Sequence, residues 1–284
     1  MLEHAWWFWV LLLFIFTFLL GILAVMGGVG GGVLFTPIVG SFFPFNLDFV
    51  RGAGLFVALT GSLAAGPGLL KRGLANLRLA MPLALISSTS SIAGALIGLA
   101  LPTWIVQVLL GIVIIFITIL MIRAKRAEFP EVPKPDRISQ ILKIYGIYYE
   151  ESSKTTVEWK VHRTLPSLFL FALIGIIAGM FGLGAGWANV PVLNLVMGCP
   201  LKIAAGTSKF LLSITDTSAA FVYLNSGSVI PLITIPSVLG IMLGSFFGVK
   251  LLAKANPRVV RIIVVAILAF AGVRSLLKGL GIWV

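Results

Sequence analysis

Residues 26–39 read MGGVGGGVLFTPIV, and residues 180–193 repeat the pattern as MFGLGAGWANVPVL. Dense glycine raises the question of a phosphate-binding loop, but the first stretch lacks the Gly-Lys-Ser/Thr continuation that a nucleotide loop needs. Residues 6–25, which precede it, form an apolar run without one charge that is long enough to cross a bilayer. The glycines are therefore predicted to lie at membrane depth, which argues against nucleotide binding.

The composition predicts an integral membrane protein. Of 284 residues, 59% are hydrophobic and 11% are charged, and the mean hydropathy is +1.11, whereas soluble domains carry about a quarter charged residues. The net charge of +12 lies mostly in loops between apolar segments, where basic residues report topology and contact anionic lipid rather than nucleic acid. The single cysteine, Cys199, excludes an internal disulfide, and no residue pattern predicts a metal site, a cofactor or an enzyme.

An ungapped shift of 154 residues aligns the chain with itself. The shift pairs Gly21 with Gly175 and continues through four hydrophobic segments to the pair Gly94 and Gly248. The chain is therefore predicted to contain two copies of one transmembrane repeat, residues 1–122 and 166–284, joined by a polar linker at residues 123–165. After a glycine-broken opening segment, each copy has three predicted spans: residues 50–70, 76–100 and 104–122, and residues 203–223, 230–250 and 259–277.

The basic residues change ends between the two copies. They follow the second segment of the first copy at Lys71, Arg72 and Arg78, and the third segment of the second copy at Lys250, Lys254, Arg258 and Arg261. Because positive residues stay in the cytoplasm, the copies are predicted to face opposite ways. This requires bends at residues 27–32 and 181–186, between two helices of each opening segment. We predict an all-α polytopic membrane protein with two inverted-topology repeats, glycine-broken helices, a cytoplasmic linker and both termini outside.

The linker has mixed charge and a strand pattern. In KTTVEWKVHR, residues 154–163, apolar side chains alternate with polar ones, which predicts a small β-hairpin. The linker is interpreted as a plain connection, with a docking or gating element as the less favoured alternative.

Short motifs resemble a known family. Both copies hold a G-x-G-x-x-x-x-x-x-P segment, which ends at Pro37 and at Pro191, and residues 204–208 read AAGTS. In their order and spacing these motifs resemble the TauE/SafE permeases, also called the sulfite exporter or toluene-sulfonate uptake permease family. The resemblance covers both copies and implies a multi-pass plasma-membrane transporter for small sulfur-containing anions such as sulfite or organosulfonates.

Lys209 and Asp216 are ionisable residues inside the predicted span 203–223. Charges inside a membrane are costly, so both are functional candidates. Their spacing of about two helical turns places them on one helix face. Lys209 can attract the anion or extend to the cytoplasmic surface, and Asp216 can pair with Lys209 or carry a coupling proton.

The other predicted substrate-binding residues lie at the bends and on the same helix: Gly30, Gly32, Gly184, Gly186, Asn189, Thr207 and Ser208. The glycines are interpreted as a helix break at the substrate, with a flexible hinge as the alternative. Thr207 and Ser208 are placed at the start of their helix, where they favour an anion or cap the helix. Asn189 can donate to an oxyanion or join two helices.

Two further groups are interpreted as structural. The serine- and threonine-rich run at residues 87–91 is read as joining helices in preference to lining a water path, and Arg51 with Asp48 as an ion pair at the membrane interface.

The predicted function is secondary transport by alternating access, with an uncoupled anion channel as the alternative. The predicted partners are a small anionic substrate, the lipid bilayer and, under coupling, protons. The sequence predicts neither the direction of transport nor the oligomeric state.

Overall fold

The computed structural model describes residues 6–27, 30–71, 73–123, 130, 132–150, 155–252 and 257–282. The elements in this part of the chain are α1 (Trp6–Gly27), α2 (Gly31–Phe42), α3 (Leu47–Lys71), α4 (Leu77–Ala100), α5 (Thr103–Arg123), α6 (Arg137–Ile141), β1 (Tyr145–Glu150), β2 (Thr155–Lys160), α7 (Thr164–Phe181), α8 (Gly186–Pro191), α9 (Leu201–Asn225), α10 (Pro231–Leu252) and α11 (Pro257–Gly279). A π-helical turn, Val192–Val196, continues α8. Residues 28 and 29 of the first predicted bend, with Arg72 and Lys254, lie outside the described residues.

Both copies show the same succession of helices, which confirms the predicted all-α polytopic fold. A long opening helix (α1 or α7) is followed by a short helix (α2 or α8) and then by three long ones. Seven helices in the described part of the chain are long and apolar enough to cross a membrane. The 25-residue helix α9 is not among them, because it carries Lys209, Asp216 and several hydroxyl residues.

The opening helix of each copy packs along a helix of the other copy. Helix α1 packs along α10, and α7 packs along α4. A Cβ added to Gly21 would lie 2.8 Å from the carbonyl oxygen of Ile241, and a Cβ added to Gly175 would meet the carbonyl oxygen of Ser87. The two contacts are equivalent, because the shift of 154 residues pairs Gly21 with Gly175 and Ser87 with Ile241. The glycines are therefore required for equivalent close helix contacts in both copies.

Corresponding helices of the two copies run antiparallel. Near the start of α3, a Cβ on Gly52 would lie 2.6 Å from the carbonyl oxygen of Ser228, just past the end of α9. At the other end, the backbone N–H of Asn76 donates to Thr207 Oγ1 near the start of α9, at 3.1 Å. Antiparallel equivalent helices are the arrangement expected of inverted repeats, and the orientation of each copy across a membrane stays a prediction.

The linker contains the predicted β-hairpin. Strands β1 and β2 pair antiparallel, with Tyr145 opposite Lys160 and Gly146 opposite Trp159. Trp159 and Val161 are buried in one apolar cluster with Met197 and Cys199. The backbone N–H of His162 donates to the carbonyl oxygen of Met197 at 3.0 Å. The linker is therefore packed against the turn between α8 and α9.

Hydrogen bonds to the Asp136 carboxylate join the linker to the start of α7. The carboxylate accepts hydrogen bonds from the backbone N–H of Ser139 at 3.3 Å, from the backbone N–H of Thr164 at 3.0 Å and from the Thr164 hydroxyl at 2.8 Å. Burial raises the pKa of the Asp136 carboxyl, but these hydrogen bonds outweigh burial and hold the pKa below its ordinary value. The carboxylate thus caps α6 and α7 together.

Candidate functional site

The two glycine breaks meet between the copies. Helix α2 begins at Gly31, with Gly30 as its N-cap, and α8 begins at Gly186. A Cβ on Gly186 would lie 3.6 Å from the backbone nitrogen and Cα of Gly30. Gly30 has no side chain that could cap the start of α2, and its carbonyl oxygen accepts from the backbone N–H of Val33 at 3.2 Å.

Residues of the first copy line the second break. The hydroxyl of Thr36, on α2, donates to the carbonyl oxygen of Gly182 at 2.8 Å. A Cβ on Gly32 would lie 2.6 Å from the carbonyl oxygen of Leu183 and 2.9 Å from that of Gly54. Gly182 and Gly184 have positive φ angles of 64° and 68°. Backbone without side chains is therefore required on both sides of this junction.

Asp216 lies directly against the second break, near the middle of α9. A Cβ on Gly184 would be 3.0 Å from its Oδ2 and 2.8 Å from the Cβ of Ala58. The Asp216 side chain is fully buried, and neither carboxylate oxygen has a hydrogen-bond partner among the described residues. The backbone amide of Ala185 is close to the carboxylate without reaching hydrogen-bond geometry. A buried carboxylate without partners is costly unless a ligand or a proton satisfies it.

Lys209 lies on the same helix as Asp216 and is half-buried. It acts electrostatically on Asp216, but the two side chains form no ion pair within 4.0 Å. The suggested direct pairing of Lys209 with Asp216 is therefore absent here. Lys209 supplies a positive charge to the surroundings of the junction without neutralising the carboxylate by contact.

Asn189 places an unpartnered amide on α8, close to the second break. Its side chain is 1% exposed, and neither its Nδ2 nor its Oδ1 has a hydrogen-bond partner. The buried indole nitrogen of Trp187, on the same short helix, also lacks a partner. Within the part of the chain that the structure describes, Asn189 forms no hydrogen bond between helices, which contradicts that alternative for its side chain. These orphan donors are typical of a site that a polar ligand completes.

The sequence interpretation of Thr207 and Ser208 as the first residues of their helix is wrong. Helix α9 begins at Leu201, because Pro200 has the fixed φ and missing N–H that suit a helix start. Thr207 and Ser208 are buried inside the helix, where backbone amides are already bonded. The Thr207 hydroxyl accepts from Asn76 and so joins the two copies.

The hydroxyl-rich run at residues 87–91 joins helices, as predicted. Ser87 Oγ and Thr215 Oγ1 are 2.8 Å apart, and the Ser91 hydroxyl donates to the Thr215 carbonyl oxygen at 3.0 Å. Thr215 precedes Asp216, so these bonds fix the helix segment that carries the carboxylate.

Arg51 is buried, and the prediction of an interfacial ion pair is only half right. Its guanidinium pairs with Asp48 as predicted, but its side chain is 1% exposed and reaches the end of α7 at the second break. The sequence showed an arginine inside an apolar span, a signal of function in a membrane. Its carbonyl partners, Gly98 and Met180, are 47 and 129 residues away and leave no local pattern.

Comparison with known proteins places the chain among membrane transporters. The family model described as sulfite exporter TauE/SafE matches residues 13–275. The chain is 26% identical over 281 residues to the probable membrane transporter protein MJ0441 of Methanocaldococcus jannaschii, covering 94% of this chain and 95% of the relative. It is 22% identical over 263 residues to the probable membrane transporter protein YunE of Bacillus subtilis, covering 89% and 92%. No solved structure matches.

Proposed function

Because this chain belongs to the sulfite exporter TauE/SafE family of membrane transporters, we propose that it is a secondary transporter for small sulfur-containing anions of the sulfite or organosulfonate type. It would act in the plasma membrane by alternating access. Its multi-pass architecture, with seven long apolar helices in the described residues, agrees with this role.

The observation that carries the proposal is the junction of the two glycine breaks beside Asn189 and Asp216. The orphan donors there, the Asn189 amide and the Trp187 indole N–H, suit the oxygen atoms of an oxyanion. The uncapped start of α2 adds backbone amides and the positive end of a helix dipole. An anion at the junction would satisfy groups that the protein leaves buried and unpaired.

Asp216 is the proposed proton carrier. It lies against Gly184 at the junction, so its charge would repel a bound anion, and protonation would remove that repulsion. Anion and proton would thus bind together, which is the basis of proton-coupled transport. Lys209 would offset part of the anion's charge from one side of the site.

The antiparallel, exchanged packing of the copies supports alternating access. Each opening helix packs on the other copy, and the site lies where the copies meet. In transporters with inverted repeats, rocking of one unit against the other opens a site near the midplane to each side in turn.

Uptake by sealed vesicles tests the proposed function. Purified protein in liposomes would be assayed with sulfite, thiosulfate, an alkyl sulfonate and a carboxylate, each with and without a pH gradient. We expect saturable uptake of one sulfur-containing anion, stimulated by the gradient, and a KM about tenfold higher with Asn189→Leu. Transport of the carboxylate alone would contradict the substrate class.

Counterflow separates the transporter from the alternative of an uncoupled anion channel. Vesicles preloaded with unlabelled substrate would accumulate labelled substrate transiently if the protein alternates between two sides. A channel would only equilibrate the label, and this result would overturn alternating access.

Sided labelling tests the inverted topology. In a Cys199→Ser background, single cysteines replace Glu158 in the linker hairpin and Ser226 after α9, both exposed positions. An impermeant thiol reagent should label the Ser226 position from outside and the Glu158 position from the cytoplasm. Labelling of both from one side would end the inverted-repeat prediction.

A further inference from the structure

Arg51 connects the two copies beside the second break. Its Nη1 donates to the carbonyl oxygen of Gly98, near the end of α4, at 3.0 Å, and to that of Met180, at the end of α7, at 2.9 Å. Its Nη2 pairs with Asp48, whose side chain is 32% exposed. A guanidinium at the C-terminal carbonyls of two helices also interacts favourably with their dipoles.

Tyr223, which lies on α9 of the second copy, contacts the same end of α7. Its hydroxyl lies 3.1 Å from the carbonyl oxygens of Gly179 and Met180, and its ring lies 5.6 Å from the Arg51 guanidinium carbon. The next residues after Met180 form the break, and a Cβ on Gly182 would collide with the Arg51 backbone. Arg51 and Tyr223 thus both bond to the end of α7, directly before the second break.

This cluster lies at the end of the protein opposite the linker. Gly98 lies near the end of α4, and α5 then crosses to the linker that follows it. Along α3, Asp48 is nearest the solvent, Arg51 follows, and Ala58 contacts the junction at Gly184. The cluster therefore stands between the solvent at this end and Asp216.

The equivalent positions at the other end hold no such cluster. By the shift of 154 residues, Arg51 corresponds to Ala205, which has no polar side chain. The close backbone contact is present at both ends: Gly52 packs on Ser228, and Gly206 packs on Leu74. The charge-assisted hydrogen bonds of Arg51 are therefore not repeated at its counterpart Ala205.

We propose that Arg51 and Tyr223 are positioning residues that hold the second glycine break in place and close the site at the end opposite the linker. This inference deepens the proposed function, since it takes the second break as part of the transport site. Release of the α7 carbonyls by Arg51 would be the step that admits substrate from this end.

Hydrogen exchange of the intact protein in nanodiscs tests the proposal without any transport. In Arg51→Met, amides of residues 179–186 should exchange faster by about tenfold or more, as expected on losing charge-assisted hydrogen bonds. In Tyr223→Phe, which removes one hydroxyl, the same segment should exchange about threefold faster. Arg78→Met, at an exposed arginine, is the matched control and should leave the segment unchanged.

Two further measurements complete the test: hydrogen exchange in the double variant, and the substrate kinetics of the single variants. Because both residues hold Met180, Tyr223→Phe should add little to Arg51→Met in the double variant. Tyr223→Phe, the milder change, should raise KM with little change in maximal rate. Parental exchange of residues 179–186 in both single variants would overturn the proposal, even if Asn189→Leu raises the KM for transport. If residues 179–186 exchange faster in the variants but the protein transports no sulfur-containing anion, the positioning role is supported and the proposed substrate is refuted.

Discussion

The two glycine breaks share one sequence pattern, but the described side chains that follow them differ in polarity. After the first break the chain continues with Val33 and Phe35, both fully buried in the apolar core. The equivalent residues after the second break are Trp187 and Asn189, with orphan polar atoms. The repeat therefore places a glycine-rich helix break in both copies, while the candidate binding side chains belong to the second copy.

The largest expected effect separates two equivalent glycines, Gly184 and Gly30. Gly184 has a φ of 68°, and its Cβ would lie 2.8 Å from Ala58 and 3.0 Å from Asp216, so Gly184→Ala should abolish transport. Gly30 has a φ of −67°, and the nearest atom to its Cβ would be 3.9 Å away, so Gly30→Ala should transport almost normally. Vesicle uptake, normalised to reconstituted protein, measures both.

The next equivalent pair, Gly32 and Gly186, is a control in which the larger effect is expected in the first copy. A Cβ on Gly32 would meet two backbone carbonyl oxygens, whereas one on Gly186 would come within 3.2 Å of the flexible end of Leu212. Gly32→Ala should therefore be the damaging change of this pair, although it lies in the first copy. Equal effects of all four substitutions would show that the breaks act as simple hinges.

Features that depend on local pattern and register could be predicted from the sequence. The helices, the breaks and the linker hairpin follow from apolar length, ungapped glycines and strand alternation. The predicted span 203–223 begins within two residues of α9, but Thr207 and Ser208 lie well inside the helix that starts at Leu201. The buried position of Arg51 and the docking of the linker on Met197 depend on contacts between distant residues. No periodicity encodes such contacts.

Asp216→Asn should remove the response to a pH gradient. The amide keeps nearly the same shape but cannot release a proton, so net uptake driven by pH should be lost. Exchange of labelled for unlabelled anion should continue, because exchange requires no net proton movement. The equivalent residue of the first copy is Ser62, and Ser62→Ala serves as the control with a retained pH response. Gradient-driven uptake by Asp216→Asn would exclude Asp216 as the proton carrier.

Asn189→Leu should weaken substrate binding without weakening the fold. No protein hydrogen bond is lost, and two buried unpaired groups are removed, so the melting temperature should stay or rise. The loss of an oxyanion donor should raise KM by about tenfold. Asn194→Leu is the matched control, because the Asn194 amide donates to the Cys199 carbonyl oxygen at 2.8 Å. That variant should lose stability, with KM close to parental. A destabilised Asn189→Leu with normal KM would indicate a structural role.

The smallest expected effect is at Lys209, which belongs to the second copy and lies about two helical turns before Asp216. It is half-buried and makes no ion pair with Asp216, so its influence on a bound anion is electrostatic and partly screened. Over about 10 Å, the rise of two helical turns, a unit charge contributes roughly 0.4–1.7 kcal/mol between effective dielectric constants of 80 and 20. Lys209→Gln should therefore raise KM by about threefold, and Lys209→Arg should remain near parental.

The double variant Lys209→Gln with Asp216→Asn distinguishes this long-range role from a structural charge pair. If the two charges held the fold together, each single variant would leave one charge uncompensated, and the double variant would recover stability. Because the structure shows the side chains apart, we expect their effects on the melting temperature to add without recovery. High salt should also reduce the difference in KM between parental protein and Lys209→Gln. Recovery in the double variant would mean that the charge asymmetry between the copies serves the fold and not the substrate.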